Sequence, residues 1–181
     1  TVPPPIVPAP IVPTPVIPTP VIPPPNVPAH PFTDIPTGAP YADAIDFVYA
    51  RGLFDGVSKT EFAPDDTMTR AMFVTVLGRL SKVDVTGYTD THFTDVVGGT
   101  WYAPYVAWAT EQGIVEGYGN GVFGVEDPVT VEQAVVLMAR YGNFVGADGT
   151  DASYLSLFAD GRTVSSWATE AMEWGVSTGI Y

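Results

Sequence analysis

Two stretches of the chain carry the same order of apolar and polar positions. From Tyr41 to Arg51, with Leu53 just beyond, Ile45, Val48 and Tyr49 recur at the three-and-four spacing of a helix with one buried stripe. From Tyr102 to Gln112, with Gly113 just beyond, Val106 and Ala109 hold the matching places. A second periodic stretch follows each of these. Ala71, Val74, Leu77 and Leu80 lie behind Thr69, and Ala134, Leu137, Met138 and Tyr141 lie behind Thr130. A threonine hydroxyl can accept a free N–H of the first helical turn, so both threonines read as N-caps. The pattern predicts helix, turn-rich loop, helix, twice over. The first helix of each copy ends at a glycine, which takes the left-handed conformation at no steric cost. The loop then carries a second glycine and an aromatic, Phe62 or Phe123. A third first-type helix is expected from Ser165 or Ser166 to Trp174, with no second helix after it. Its apolar side, near Ala168, Met172 and Trp174, is therefore expected to stand open.

Comparing the chain with itself tightens this reading. Phe32-Thr33-Asp34 returns as Phe93-Thr94-Asp95 and again as Phe158-Ala159-Asp160. Gly52-Leu53-Phe54-Asp55-Gly56 returns as Gly113-Ile114-Val115-Glu116-Gly117 and then as Gly175-Val176-Ser177-Thr178-Gly179. Between the first two copies every landmark moves by the same 61 residues, Phe32 to Phe93 and Thr69 to Thr130. The chain divides into an arm at 1–31, repeats at 32–90 and 91–152, and a partial repeat at 153–181.

These landmarks resemble those of the S-layer homology family: a Phe-x-Asp opening, a Gly-Ile/Val-x-x-Gly turn, and a Thr-Arg-Ala-Glu helix start. The resemblance spans about 32–181. It implies an all-α fold of tandem helix-loop-helix repeats in a pseudo-threefold bundle, here with its third repeat truncated. It also implies a bacterial envelope location and non-covalent attachment to secondary cell-wall polysaccharide, often pyruvylated, with the module as the anchor of surface-layer subunits or wall-bound enzymes. The residues themselves offer no catalytic constellation, so no enzymatic activity is expected. The helix starts depart from the family pattern. Copy one reads Thr69-Arg70-Ala71-Met72 and copy two Thr130-Val131-Glu132-Gln133, so Arg70 is the one expected arginine that remains.

The arm has a different grammar. Of 19 prolines, 14 fall in residues 1–31. Proline fixes its own φ and holds the preceding residue extended, so the segment reads as a polyproline II rod reaching on the order of 90 Å. Its other positions are apolar: Ile6, Val7, Ile11, Val12, Val16, Ile17, Val21 and Ile22 recur as pairs at five-residue steps. Solvated linkers use polar residues there. The arm therefore reads either as a stiff spacer or as an element that docks on a neighbouring copy. The second reading makes the chain a self-assembling subunit of a filament or surface lattice.

Composition narrows the chemistry. A formal charge of −13, with seven Lys and Arg, opposes binding to nucleic acid or to anionic membrane surfaces. No apolar run reaches the length of a membrane-inserting helix. Cysteine is absent, which excludes disulfides and thiolate metal sites. Arg70, at a helix N-terminus, offers a planar fork for an anionic sugar substituent. Trp101, Tyr102 and Trp167 are candidates for stacking on a sugar ring, and Asp34 and Asp95 for accepting its hydroxyls. Gly117-Tyr118-Gly119-Asn120-Gly121 reads as a turn, since no strand precedes it and no Lys-Ser/Thr follows. The acidic stretches Asp148–Asp151 and Asp84–Asp95 offer at most a weak calcium site, and no cofactor or resident metal is expected. His30 and His92 fall in loops, with no nucleophile or acid–base pair beside them in sequence.

Overall fold

The computed structural model describes residues 29–147 and 154–180. Residues 1–28 of the arm, with its apolar pairs, lie outside the described residues, as does the Asp148–Asp151 stretch within 148–153. Among the described residues the chain is all-α, as expected: α1 Ala42–Ala50, α2 Arg70–Ser81, α3 Ala103–Glu111, α4 Val131–Val145 and α5 Thr169–Thr178. Two short 3-10 turns, Leu155–Leu157 and Gly161–Thr163, precede α5.

The two threonines cap as expected. Thr69 accepts from the N–H of Met72 at 3.3 Å. Thr130 accepts from the N–H of Gln133 at 3.2 Å, and the Gln133 side chain accepts in return from the N–H of Thr130. That reciprocal pair satisfies two donors the helix leaves free. The 61-residue register holds down to single hydrogen bonds. The N–H of Thr33 meets the carbonyl of Thr60 at 2.8 Å, and that of Thr94 meets Gly121 at 2.7 Å. Arg79 pairs with Asp55 at 2.6 Å, and Arg140 pairs with Glu116 at the same distance. Each repeat thus closes its own loop, and the loops are stitched together by backbone. The N–H of Arg70 donates to the carbonyl of Asp127 and that of Val129 to Met68, both at 2.9 Å.

Packing follows a rule. A first-type helix lies on the second helix of the repeat before it: α3 on α2, and α5 on α4. Glycines on the second helices make room. At Gly78 a Cβ would collide with Tyr105, with Trp108 close behind, and at Gly142 it would meet the Trp174 ring at 2.6 Å. Val74, Val106, Ile114 and Phe123 are fully buried in the core so formed. No second-type helix covers α1 among the described residues. Phe47, which stands 61 positions before Trp108, stays half-buried beneath the Arg51 guanidinium, 3.4 Å from its ring centre.

The third unit corrects several expectations. Its helix begins at Thr169, not at Ser165 or Ser166, and no side chain caps it. The N–H of Ser165 is instead held by the Glu132 carboxylate at 2.8 Å. The helix runs past Trp174 to Thr178 and closes on Gly179, left-handed at φ 74° as Gly113 is at φ 70°. Gly175 is buried inside it. The structural counterpart of Gly113 is therefore Gly179, which sets Trp167 opposite Trp101 and Trp174 opposite Trp108. The expected open face does not exist: Ala168 and Met172 are buried with Val135 and Leu155 against α4. Phe158 is exposed where Phe32 and Phe93 are buried, so it does not open a third repeat in the same way. Leu80, expected in the core, lies at the surface in the last turn of α2.

Candidate functional site

Two grooves flank the second-type helices, built from equivalent positions. The α2 groove, about 610 Å³, is lined among others by Asp55, Met72, Arg79 and Trp101. The α4 groove, about 290 Å³, holds their counterparts Glu116, Gln133, Arg140 and Trp167, together with Tyr118 and Arg70. Each groove thus has an arginine–carboxylate pair on one wall and an exposed indole at its rim.

Arg70 makes the two grooves different. It is 6% exposed, and its Nε donates to the carbonyl of Phe123 at 3.0 Å. Its guanidinium carbon lies 4.4 Å from the Tyr118 ring centre and 5.0 Å from that of Phe123. Among the described residues no carboxylate comes within 4.0 Å of it. Burial lowers its proton affinity, partly offset by Tyr118 and Asp127. A guanidinium nonetheless stays charged. With Arg140 and Glu116 it leaves the α4 groove one positive charge in excess. The α2 groove, with Arg79 against Asp55 and Asp66, carries one negative charge in excess.

The sequence-predicted site residues therefore separate. Arg70 and Trp167 come together in the α4 groove, and Trp101 lies in the α2 groove. Tyr102 is buried in the core, edge-on to Trp101 at 5.2 Å, and is not free to stack on a sugar. Asp34 and Asp95 line neither groove. Asp34 accepts from the N–H groups of Phe62 and Ala63, the latter at 2.7 Å. Asp95 accepts from Phe123 at 2.8 Å and Gly124 at 2.7 Å. These carboxylates hold the loop ahead of each second-type helix. Arg79, Arg140, Tyr118 and Gln133 were not singled out from sequence. The 61-residue step that relates Arg79 to Arg140 is the signal in the sequence by which two of them can be found.

The loop-holding role has a pH signature. Burial pushes the Asp95 carboxyl up, but the N–H groups of Phe123, Gly124 and Val125 outweigh it, and the net value lies below the ordinary 3.8. A carboxyl lowered on folding adds stability above its unfolded value and loses it as pH falls through the folded one. Asp95→Asn is therefore expected to cost on the order of 1–2 kcal/mol near neutrality. The gap to the parent should close as pH drops below 3.8. Urea titrations at neutral and acid pH measure both; a gap independent of pH would remove the carboxylate from this role.

Residues 31–72 and 92–135 match the S-layer homology domain, one match on each repeat. Over 76% of its length the chain is 28% identical to an amylopullulanase of Thermoanaerobacterium thermosulfurigenes, covering 7% of that protein. A cell surface protein of Thermoanaerobacter kivui is 31% identical over 65% of the chain, which covers 16% of it. The S-layer protein sap of Bacillus anthracis is 28% identical over 82% of the chain, which covers 18% of it. The chain thus spans less than a fifth of the length of these relatives.

Proposed function

Because the chain belongs to the S-layer homology family of extracellular, wall-associated bacterial proteins, we propose that its folded part anchors non-covalently to secondary cell-wall polysaccharide through the α4 groove. The observation that supports this is Arg70: a buried guanidinium with no carboxylate partner among the described residues, in a groove shared with Arg140 and Trp167. A buried charge whose attracting carboxylates, Asp127 and Asp95, lie beyond ion-pair distance is costly. An acidic sugar substituent, such as a pyruvyl or carboxyl group, would supply a counter-charge in direct contact. Arg140 would then add a second donor set beside it, and Trp167 an apolar face for the ring. The proposal involves no catalysis; the similarity to the amylopullulanase covers only 7% of that enzyme.

Binding to purified wall polysaccharide tests the reading. Arg140→Ala and Trp167→Ala, both at partly or fully exposed side chains, are each expected to weaken binding about tenfold, or about 1.4 kcal/mol. Polysaccharide stripped of its acidic substituents should not bind. Failure of the intact chain to bind, or binding indifferent to both variants, would overturn the assignment. Association between copies is supported by relatives named as S-layer proteins, but the open α5 face first expected to drive it is covered.

A further inference from the structure

The α2 groove does not repeat the chemistry of the α4 groove. Its arginine is already neutralised: Arg79 pairs with Asp55 at 2.6 Å and donates to the carbonyl of Leu53 at 3.1 Å. It has no counterpart of Arg70 and about twice the volume. Its walls are apolar and soft, with Phe54, Phe62, Met68, Met72 and the half-exposed indole of Trp101. A groove of this kind suits an uncharged, apolar occupant. Aromatic-lined grooves take polyproline II segments in particular, because such segments have little conformational freedom left to lose and present flat proline rings. Thioether side chains adapt to irregular apolar shapes.

We propose that the α2 groove is the docking site of this chain's own residues 1–28, so that the arm straps across the first repeat. Three observations converge. Residues 1–28 contain no charged side chain, and their non-proline positions are mostly Val and Ile. The chain enters the folded body directly behind the groove wall: the Phe32 ring lies 5.3 Å from that of Phe62 and against Gly56, and both residues line the groove. The entry is also pinned, since the N–H of His30 donates to the Asp46 carboxylate on α1 at 2.7 Å. A tethered segment starting beside its site meets it at an effective concentration in the millimolar range, so even weak contacts keep it bound. This inference is independent of the glycan assignment, which concerns the other groove.

The test uses the full chain and a full-length variant in which the eight Val and Ile residues from Ile6 to Ile22 are replaced by serine. The indole N–H signal of Trp101 is followed by NMR, with that of Trp167 as an internal control. In the parent, the Trp101 signal should be displaced relative to the serine variant, at every protein concentration and in a monomer by light scattering. A synthetic peptide of residues 1–28 should restore the displacement in the serine variant and bind the parent at least tenfold more weakly. The Trp167 signal should not move. An unchanged Trp101 signal would overturn the proposal. A displacement that appears only as the chain oligomerises would overturn it too, by giving the groove to a neighbour's arm.

Discussion

Trp108→Ala is expected to remove about 3–5 kcal/mol of folding free energy. Trp108 is 2% exposed at the junction of three helices. On one side it packs close to Gly78 of α2, where a Cβ would stand in ordinary contact with the indole at 3.5 Å. On the other it meets the Phe144 ring of α4 edge-on, centroids 5.7 Å apart and planes at 85°. Removing the indole opens a cavity between elements already fixed by their own loops, so the site has little freedom to collapse. The edge-on pair adds about 0.5–1.5 kcal/mol to what is lost. Against a domain stability of roughly 5–15 kcal/mol, that is a large fraction. Trp101→Ala is the internal control. It deletes the same side chain from a position 55% exposed, where the edge-on contact with Tyr102 is the main loss, and should cost about 0.5–1.5 kcal/mol. Urea unfolding of both variants, with unchanged slopes and a midpoint lowered far more by Trp108→Ala than by Trp101→Ala, is the expected result. Equal midpoints would show that Trp108 does not fill the core beside α2.

The contrast between those two tryptophans marks what the sequence made legible. Within the first two repeats, register carried the reading. A constant 61-residue step aligned the caps Thr69 and Thr130, and the structure keeps that step for the salt bridges at Arg79 and Arg140. The third unit offered two glycines four residues apart, Gly175 and Gly179, and either can be set against Gly113. Local sequence cannot choose between them. The choice is made by packing: with Gly175 inside the helix, Trp174 reaches the backbone of α4 at Gly142. That contact joins residues 32 positions apart and leaves no periodic trace. Leu80 failed for a related reason. It continues the three-residue spacing of Val74 and Leu77, but steps of three fall short of a 3.6-residue turn, so the stripe drifts off the buried face.

The candidate site was legible in its chemistry and opaque in its geometry. Arg70 stood out because a guanidinium at a helix start suits an anion. Its burial under Tyr118 and Phe123 comes from the next repeat's loop, 48 and 53 residues away in the chain. Asp34 and Asp95 looked like hydroxyl acceptors because an aspartate near a turn advertises free oxygens. Those oxygens are taken by N–H groups some 28 residues on, a pairing that only the closed loop creates. Tyr102 lies inside and Trp101 outside, although the two are adjacent and both aromatic.

Loop closure also sets the second large effect, at Gly117. This residue has φ 71°, which costs a residue with a Cβ roughly 1–2 kcal/mol. A Cβ there would in addition collide with the Phe93 ring and lie 2.6 Å from the carbonyl oxygen of Val122. Neither neighbour can retreat. Phe93 is buried against Phe123, and the Asp95 carboxylate grips the Phe123 N–H, one residue past Val122. Forcing a methyl into such a place adds about 1–3 kcal/mol. Gly117→Ala is thus expected to cost roughly 3 kcal/mol or more. Gly113→Ala separates the two contributions, because Gly113 has nearly the same φ, 70°, with nothing within 4 Å of its would-be Cβ. It should lose only the backbone part, about 1–2 kcal/mol. Gly56→Ala repeats the Gly117 experiment 61 residues earlier, against Phe32 and the carbonyl of Glu61. Its cost should fall between the other two, since Phe62 is less buried than Phe123 and the first loop yields more easily. Losses of unfolding free energy in that order, Gly117 above Gly56 above Gly113, would establish that both repeats close on the same ring-against-glycine contact. Equal losses at Gly117 and Gly113 would show that the contact is absent.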